Sequence, residues 1–431
     1  MQELIKKVES AGVVGAGGAG FPTHVKLGGK AEILLVNAAE CEPLLAVDQH
    51  LIIKNAQLLK DTLSQVAKIL GATRTIVAIK KKHKEAIDAL QKVKLGLCLL
   101  DNFYPAGDEQ VTVYEATGRT VPEGGIPLQV GVVVLNVETL INIAAALEDR
   151  PVTHTYLTVT GEVARPLTGC FPIGMRADEV IAYAGGATTE DWALIEGGPA
   201  MGNLKDPTAP ITKTTKGLIV LPKDHPTIKL REQTLTSIVR QASSACCQCQ
   251  LCTELCPRYL LGHDLEPARI MRAMGHGTAD IRGLTAAMLC SECGVCDLFA
   301  CPMGLSPRRV NQALKAEFGR RGLKNPHNKE TEPKGTRFGR KTPTARLIGR
   351  LALSRYDVAA PWEDVQLSPR QVTIPLQQHI GKPAQPLVKK GQYVEAGQLI
   401  AKFEGLGANI HASIGGKVES VDSAIVIRAA R

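Results

Sequence analysis

The sequence predicts several α/β and α+β domains in one chain, on the basis of its length, its alternating segments and its cysteines. A chain of 431 residues is long enough for two to four hydrophobic cores at roughly 100–200 residues per domain. Strand-like and helix-like segments alternate between Gly-rich turns, and eight of the 12 cysteines fall into two short runs. With 44% apolar and 22% charged residues, the composition excludes a wholly disordered chain and a small disulfide-dense secreted module.

The positive charge of the chain is concentrated in one segment. Residues 306–355 hold 14 Lys and Arg against three Asp and Glu, in a chain whose net charge is +9. No helix-turn-helix, zinc finger or aromatic-studded sheet motif accompanies these charges, so we expect no nucleic-acid partner. The pattern favours a solvated basic linker over residues 321–365 with a role in docking.

The sequence shows neither a membrane span nor an export signal. No segment approaches the roughly 18 consecutive apolar residues of a transmembrane helix. The first residues, MQELIKKVESAG, lack the apolar core of a signal peptide. We therefore expect a cytosolic protein without a transmembrane segment.

A Gly-rich loop near the N-terminus is the first candidate binding element. Residues 12–20 read GVVGAGGAG and are followed by Lys26. Glycines let backbone N–H groups approach a phosphate closely, and a lysine adds charge. The loop precedes the first predicted strand, residues 33–36, whereas the dinucleotide fingerprint follows a strand. A flexible turn is the alternative interpretation.

Three further blocks place polar side chains beside apolar runs. They are residues 37–43 (NAAECEP), 104–109 (YPAGDE) and 132–139 (VVVLNVET). In α/β proteins, ligands bind at such strand ends. Together with the Gly-rich loop, these blocks closely resemble the flavin domain of the respiratory complex I flavin subunit and, more closely, that of the Rnf-complex C subunit. The resemblance spans residues 10–150.

This resemblance implies a Rossmann-like domain over residues 1–150 that binds FMN and NADH. Phe21 and Glu42 match positions that hold NADH in the complex I relative. The chain departs from the complex I pattern at two positions. Ala39 stands where that pattern has an acidic residue, and Leu135 stands where it has the first of two paired asparagines. The residues expected at the FMN phosphate and ribityl chain are Gly15, Gly17, Gly18 and Lys26. Those expected around the flavin are Asn37, Glu40, Tyr104, Gly107, Glu109, Asn136 and Thr139.

Two β-rich segments flank the cysteine runs. Residues 151–210 combine alternating β-type residues, a short helix and Gly-rich turns, which suggests a β-grasp domain resembling the soluble-ligand-binding domain of the same families. A packing spacer is the alternative interpretation of this segment. Residues 366–431 contain short strands between Gly turns and predict a barrel-sandwich domain for interaction or scaffolding. Its residues 405–409 include no lysine to carry lipoyl or biotin, and His379 and His411 are expected in its core or turns.

The two cysteine runs carry the strongest chemical signal. The first has the Cys-x2-Cys-x2-Cys-x3-Cys-Pro spacing of bacterial [4Fe–4S] ferredoxins, and the second has x4 before its last cysteine. Zinc, the alternative metal, usually takes separated Cys-x2-Cys pairs, which match two four-cysteine runs poorly. We therefore predict two [4Fe–4S] clusters.

The rule for two-cluster ferredoxins predicts which cysteines share a cluster. In that rule the fourth cysteine of each run binds the other cluster. The 33 residues between the runs have helical character, so a helical ferredoxin-like domain is expected over residues 236–320. Cys247, next to Cys246, is an alternative ligand. The expected sets are Cys246, Cys249, Cys252 and Cys301 for one cluster and Cys290, Cys293, Cys296 and Cys256 for the other.

The order of these segments sharpens the resemblance. In the Rnf-complex protein the sandwich module precedes the Gly-rich loop, whereas here it follows the cysteine runs. This order resembles that of the cobalamin reductases of propanediol-utilisation microcompartments, across essentially the whole chain. The resemblance implies that NADH reduces FMN, that electrons then reach the clusters singly, and that cobalamin is reduced towards the cob(I) state. No residue is assigned as a proton-transfer catalyst.

The same resemblance implies partners and a location. An adenosyltransferase would use the reduced corrinoid to rebuild the cofactor of diol dehydratase, and shell proteins would surround the chain. The expected location is the bacterial cytoplasm, within or attached to a microcompartment. Two other functions fit the same motifs. One is an Rnf-like subunit that passes electrons from NADH to a protein partner, and the other is a shell-associated protein whose clusters conduct electrons through a microcompartment wall.

Overall fold

The computed structural model describes residues 2–277 and 280–430. The N-terminal region contains strands β1 (Ile33–Ala38), β2 (Arg74–Lys80), β3 (Leu97–Leu100), β4 (Phe103–Tyr104) and β5 (Val132–Asn136). Its helices are α1 (Gln2–Ser10), α2 (Thr23–Leu27), α3 (Val47–Leu70), α4 (Lys84–Lys92), α5 (Glu109–Thr117) and α6 (Val137–Leu147). Four of the strands form a sheet in the order β3-β2-β1-β5, and every neighbouring pair is parallel.

Helices cover both faces of this parallel sheet. Leu34 and Val36 of β1 belong to the core formed with α3, α4 and α6, whereas Ile33 and Leu35 belong to the core formed with α5. A strand buried on both faces requires a continuous apolar run of this kind. The strand predicted over residues 33–36 is therefore observed, and the α/β prediction for this region is confirmed.

Residues 154–222 form a second, mixed sheet. Its elements are β6 (His154–Gly161), β7 (Leu167–Pro172), α7 (Ala177–Tyr183), β8 (Trp192–Glu196), β9 (Asn203–Lys205) and β10 (Gly217–Pro222). The strand order is β7-β6-β10-β8-β9, with β10 parallel to β6 and antiparallel to β8. Because the central strand is β10, the sheet extends beyond residue 210, where the sequence led us to expect its end.

Helices dominate the region that carries the cysteine runs. They are α8 (Pro226–Glu232), α9 (Leu235–Ala245), α10 (Leu251–Glu254), α11 (Pro257–Leu260), α12 (Pro267–His276), α13 (Ile281–Thr285) and α14 (Pro307–Arg320). A π-helical turn spans Val295–Ala300. Ile238, Ile270 and Val310, from α9, α12 and α14, meet in one core. The described residues between 223 and 341 contain no strand, in agreement with the helical character expected there.

A segment that we call the strap, residues 325–356, returns from the helical region to the N-terminal region. It contains β11 (Thr342–Pro343) and α15 (Thr344–Arg350). Strand β11 pairs with β4 in antiparallel fashion, with Thr342 opposite Tyr104. Leu347 and Leu353 are fully buried in a core that also contains Tyr104. The strap therefore packs as an integral part of the fold.

Basic residues of the strap are paired with other elements. Arg337 and Lys341 both bind Glu115 of α5, at 2.6 and 2.9 Å. Arg350 donates to the carbonyl of Cys301 at 3.1 Å. The expectation of a solvated linker is therefore wrong for this segment, because its charges meet carboxylates and carbonyls that are distant in the sequence.

Residues 371–429 form two antiparallel sheets that share one core. The strands are β12 (Gln371–Pro375), β13 (Gln385–Pro386), β14 (Tyr393–Val394), β15 (Leu399–Lys402), β16 (Ile410–His411), β17 (Gly416–Val421) and β18 (Ala424–Ala429). One sheet has the order β12-β18-β17-β14 and the other β13-β15-β16. His379 and His411 are both buried, as expected.

Lys213 joins three regions of the chain. Its ammonium donates to the carbonyls of Gly12 and Asn409, each at 2.7 Å. A Cβ added at Gly12, whose φ is +68°, would stand 2.2 Å from the Asn409 carbonyl oxygen. Only glycine permits this approach, so the N-terminal region, the second sheet and the C-terminal sheets are tightly packed around this lysine.

The remaining helical turns are 3-10 segments at Pro127–Val130, Ala286–Leu289, Arg337–Arg340 and Ser354–Tyr356. Among the described residues, no helix combines the length and the apolar character needed to cross a membrane.

Candidate flavin and iron–sulfur sites

The Gly-rich loop lies against the end of β5 and the start of α6. The Ala16 N–H donates to Thr139 Oγ1 at 3.0 Å, and Asn136 caps α6 by accepting a backbone N–H. A Cβ added at Gly17 would stand 3.6 Å from Asn136 Cβ, and one at Gly18, whose φ is +125°, would meet no described atom within 4 Å. The loop therefore presents open backbone beside a helix start, which suits a phosphate.

Lys26 connects this loop to a second predicted flavin contact. Its ammonium donates to Glu109 Oε1 and to the Val134 carbonyl, both at 3.0 Å. Phe21 remains within the loop, where its carbonyl accepts the Gly15 N–H at 2.8 Å. The structure thus brings Lys26 and Glu109 together at the carboxyl end of β5.

Asn37 and Gly107 meet at the carboxyl end of β1. The Asn37 amide donates to the Gly107 carbonyl at 2.8 Å. A Cβ added at Gly107 would stand 2.8 Å from the Cβ of Cys41 and 3.4 Å from that of Ala39. Glycine is therefore required at this position by close packing. Glu109, two residues later, begins α5.

Buried carboxyl groups lie beside these residues. Glu40 accepts the Asp48 N–H at 2.9 Å, and the Asn136 amide donates to Asp48 Oδ2 at 2.9 Å. Lys216 forms an ion pair with Glu138. Burial raises the pKa of Glu40 to about 8 and that of Asp48 to about 6, and it lowers the pKa of Lys216 to about 7. The region therefore contains two carboxyl groups and a lysine whose charged forms are disfavoured by burial.

Sequence reasoning missed Asp48, Glu138 and Lys216. Asp48 lies in α3, and Lys216 precedes β10 in the second sheet. No spacing within the sequence marks either residue, because their proximity depends on how the two sheets pack.

Glu42 is bound by the second sheet region. The GGPAMG loop, residues 197–202, donates the N–H groups of Ala200 and Met201 to the Glu42 carboxylate at 2.8 and 3.0 Å. The Tyr104 hydroxyl oxygen lies 3.3 Å from the same carboxylate, but its single proton has a nearer acceptor in the Cys293 carbonyl. The carboxylate matched to NADH binding by resemblance is therefore already engaged by two backbone donors.

Two arginines hold the GGPAMG loop in place. Arg231 donates to the Pro199 carbonyl at 2.6 Å. Arg308 donates to the Ala200 carbonyl and pairs with buried Asp297 at 3.2 Å. These contacts join the helical region to the loop above Glu42. Sequence reasoning did not identify these arginines, since charge counts cannot show which carbonyls a guanidinium reaches.

Tyr104 links the flavin region to the second cysteine run. Its hydroxyl donates to the Cys293 carbonyl at 2.6 Å, and its side chain is buried. Desolvation raises the pKa of Tyr104 well above its usual value, so the phenol remains a hydrogen-bond donor. One side chain thus spans the boundary between the candidate flavin site and a candidate cluster site.

The outer cysteine group lies at the surface of the helical region. We define it as Cys246, Cys249, Cys252 and Cys301, which line one cavity. Cys247 lines the same cavity, and both Cys247 and Cys249 are exposed. The structure therefore brings together the set expected from the two-cluster rule and leaves Cys247 beside it.

The inner cysteine group is shielded from solvent. We define it as Cys256, Cys290, Cys293 and Cys296, of which Cys290 alone is partly exposed and the others are buried. Burial raises the pKa of Cys293 and Cys296, and the nearby charges of Cys256 and Cys290 raise both further. The second expected set is therefore buried more deeply than the first.

Both groups suit iron–sulfur clusters. The N–H groups of Glu292 and Leu305 donate to the sulfurs of Cys290 and Cys301, each at 3.3 Å, and such bonds tune cluster potentials. Among the described residues, no three His, Cys, Asp or Glu side chains converge tightly enough to hold a single metal ion. A cubane instead spreads its irons over a volume, which matches the outer cysteines that line one cavity.

Models of four known domain families match the chain. The Nuo51 FMN-binding domain matches residues 8–145, and the SLBB domain matches residues 156–204. The 4Fe-4S dicluster domain matches residues 245–306, and the RnfC barrel sandwich hybrid domain matches residues 360–431. The predicted FMN-binding, iron–sulfur and barrel-sandwich domains are therefore confirmed, in the predicted order.

A solved structure shares much of this fold. An NAD+-reducing [NiFe]-hydrogenase in the H2-reduced state superposes with a TM-score of 0.50 at 22% identity, covering 76% of this chain and 63% of the hydrogenase chain. At this identity the similarity concerns the fold alone.

Curated relatives match the chain at higher sequence identity. The C subunit of the Na(+)-translocating ferredoxin:NAD(+) oxidoreductase complex of Acetobacterium woodii is 35% identical, over 60% of this chain and 58% of its own. The cobalamin reductase PduS of Citrobacter freundii is 45% identical over 99% of this chain and 97% of its own. PduS of Salmonella typhimurium is 47% identical over 97% of this chain and 94% of its own. With such identity over nearly the full length of both proteins, the chain belongs to the family of the cobalamin reductase PduS.

Proposed function

We propose that this chain is an NADH-dependent oxidoreductase that reduces cobalamin towards the cob(I) state, through FMN and two [4Fe–4S] clusters. The observation that carries the proposal is the 2.6 Å hydrogen bond from Tyr104 to the Cys293 carbonyl, because it joins a residue that we propose at the flavin to a proposed cluster ligand. The names of the PduS relatives supply the substrate class.

The residues around the Gly-rich loop would hold FMN. The backbone N–H groups of Gly17 and Gly18 and the Lys26 ammonium suit its phosphate, since the loop is open at these two glycines. Gly15 would line the phosphate site without donating to it, because its N–H is bound to the Phe21 carbonyl. Bound FMN would supply the conversion between two-electron hydride chemistry and single-electron transfer. Around the flavin we propose Asn37, Glu40, Tyr104, Gly107, Glu109, Asn136 and Thr139.

We propose that NADH binds through Phe21 and Glu42, which requires that the Glu42 carboxylate be accessible to the dinucleotide. The Glu42 carboxylate accepts hydrogen bonds from Ala200 and Met201 of the GGPAMG loop. A dinucleotide hydroxyl that binds this carboxylate must share it with these N–H groups or displace them. The loop therefore limits access to the donor site.

The burial of the two cysteine groups supports an order for the clusters. The inner group contacts Tyr104 and is shielded, whereas the outer group has the exposed Cys249. We propose that electrons pass from the flavin site to the inner cluster and leave from the outer cluster. The ligand sets proposed are the two cysteine groups as defined above, with Cys247 outside the coordination sphere.

The remaining assignments are proposed on the family resemblance. They comprise a Rossmann-like FMN domain over residues 1–150, a β-grasp domain from residue 151, a helical ferredoxin-like domain over residues 236–320 and a barrel-sandwich domain from residue 366. We propose an adenosyltransferase and shell proteins as partners. The proposed location is within, or attached to, a bacterial microcompartment.

One experiment tests the whole relay. The full chain is reconstituted anaerobically with FMN, iron and sulfide, NADH is added, and absorbance is followed for the flavin, the clusters and cobalamin. We expect the flavin and clusters to bleach and cobalamin to be reduced. If the flavin bleaches while the clusters and cobalamin do not, the relay is wrong.

A second candidate function is an Rnf-like protein that passes electrons to a protein partner or across a microcompartment shell. It is favoured by the 35% identity to the Acetobacterium woodii relative. Copurification with an acceptor protein, combined with little cobalamin reduction by the isolated chain, would support this alternative.

A further inference from the structure

Lys80 is a fully buried lysine at the carboxyl end of the parallel sheet. It is the last residue of β2, and 0% of it is exposed. The register pairs Ala78 with Asn37 of β1. Side chains two residues apart in a strand share a face, so Lys80 lies on the same face as Asn37, the residue that binds the Gly107 carbonyl.

The chain provides no acceptor for this ammonium. Within the described residues, Lys80 Nζ has no hydrogen-bond partner. The core on this face of the sheet is built from apolar side chains, including Ala39, Ala78 and Ala106. Burying an ammonium without an acceptor is strongly unfavourable. The position therefore calls for an acceptor that comes from outside the chain.

Several titratable groups surround Lys80 without bonding to it. Burial lowers the pKa of Lys80 and Lys82 lowers it further, while the nearby Cys41, Glu40 and Glu42 oppose this shift. None of these groups accepts a hydrogen bond from Lys80 Nζ among the described residues. The Nζ–H groups therefore remain available to an acceptor from outside the chain.

Lys80 lies on the side proposed for the ring of a bound flavin, away from the side proposed for its phosphate. The phosphate end is served by the Gly-rich loop and Lys26. Lys80 instead neighbours Cys41, which packs against Gly107, and Glu42, which lies beside the Tyr104 hydroxyl that donates to Cys293. This is the side that faces the inner cysteine group. The redox-active ring must lie there to exchange electrons with a cluster.

We propose that Lys80 is a flavin-binding residue whose ammonium donates to an acceptor atom of the isoalloxazine ring. The proposal rests on the proposed function and deepens it by adding a residue that no motif identified. A fixed positive charge beside the ring stabilises the negative charge that the ring gains on reduction. Lys80 therefore strengthens FMN binding and raises the flavin midpoint potential.

The test compares Lys80→Met with Lys82→Met in the full chain. Methionine has a similar length without the charge, and Lys82 is an exposed lysine two residues away. FMN affinity is measured by quenching of flavin fluorescence, and the midpoint potential by spectroelectrochemistry at saturating FMN. Because a charge-assisted hydrogen bond is lost, we expect Lys80→Met to weaken FMN binding roughly 10- to 100-fold and to lower the midpoint potential. Lys82→Met should change both far less than Lys80→Met does, because Lys82 acts on this region only through its charge, and Lys80→Arg should restore part of the potential.

A stability measurement separates this role from a structural one. Removing a buried cation that lacks an acceptor should raise the melting temperature of the FMN-free chain. A Lys80→Met chain that binds FMN within twofold of the wild type at an unchanged potential overturns the proposal. So does a variant whose FMN-free form melts at a lower temperature while its FMN affinity is unchanged.

The readouts are independent of NADH and cobalamin. A wild-type chain that binds FMN but does not reduce cobalamin overturns the proposed function and leaves the Lys80 comparison standing. A wild-type chain that binds no FMN overturns both.

Discussion

Each of the two cysteine groups contains three cysteines in a Cys-x2-Cys-x2-Cys run and a fourth from the other run. The two groups differ in their exposure to solvent and in the residues packed around them. The outer group forms a cavity wall with exposed Cys247 and Cys249, whereas the inner group is packed beneath Tyr104 and the GGPAMG loop. Local spacing therefore determines what a group can bind, and tertiary packing determines what it can exchange electrons with. This difference is the basis for the proposed direction of the relay, from the shielded group to the accessible one.

The largest expected effect comes from removing one cysteine of each group. In Cys293→Ala we expect NADH to reduce the flavin but neither cluster. In Cys249→Ala we expect the inner cluster to remain reducible and cobalamin reduction to be abolished. Electron paramagnetic resonance of NADH-treated samples distinguishes the two clusters. Cys98→Ser, outside both groups, is the control, and full cobalamin reduction by Cys249→Ala would contradict the proposed order.

Tyr104→Phe tests the hydrogen bond that the inner group makes with Tyr104 and that the outer group lacks among the described residues. The change leaves the buried Cys293 carbonyl without its donor, at a cost of about 1–3 kcal/mol in stability. We expect flavin reduction by NADH to be preserved and inner-cluster reduction to slow roughly 10- to 100-fold, as for other residues that support metal ligands. Stopped-flow absorbance resolves the two steps.

The control for this variant is Tyr393→Phe, whose tyrosine is exposed in the C-terminal region. Equal rates for both steps in Tyr104→Phe and the wild type would show that the tyrosine hydroxyl has no part in coupling the sites.

Glu115→Gln tests whether the strap maintains the inner site. The change leaves Arg337 and Lys341 without their shared carboxylate in a mostly buried setting. We expect a loss of about 3 kcal/mol in the free energy of unfolding, measured by urea denaturation. The matched control is Glu317→Gln, because its partners Arg320 and Arg321 are exposed and such pairs contribute about 0.5 kcal/mol. Similar losses in the two variants would refute a special role for the strap.

The smallest expected effect is a difference in rate within the unmodified protein. An iron chelator should remove the outer cluster before the inner one, because the outer group has the exposed Cys249 whereas no cysteine of the inner group is exposed. The decay of the two resonance signals after chelator addition measures the order. In Glu115→Gln the decay rates of the two resonance signals should become more similar. Simultaneous loss of both clusters from the wild type would contradict the difference in burial between the two groups.

The sequence predicted the features that depend on local chemistry. The spacing of Cys246 to Cys256 limits which metals fit, and the apolar run at residues 33–36 requires a strand buried on both faces. The Gly-rich loop, the helical region and the C-terminal sheets were likewise expected. Each of these follows from short-range rules of spacing, periodicity or backbone freedom.

What escaped prediction depends on contacts between distant segments. Lys80, Asp48 and Lys216 become neighbours of the flavin site only through sheet packing. The strap was expected to be solvated because its charges were counted without their partners. Glu115, which pairs with Arg337 and Lys341 of the strap, lies in the N-terminal region, more than 200 residues earlier in the chain.

The pairing of Thr342 with Tyr104 also has a consequence for biosynthesis. Strand β4 leaves the ribosome long before its partner, since roughly 240 residues separate them, or about 10–50 s at typical elongation rates. During that interval the inner cysteines are made before the strap can close over their surroundings. Loading of the inner cluster would therefore be easiest while translation is still under way, and a chain completed without iron would have to open its strap before it could mature.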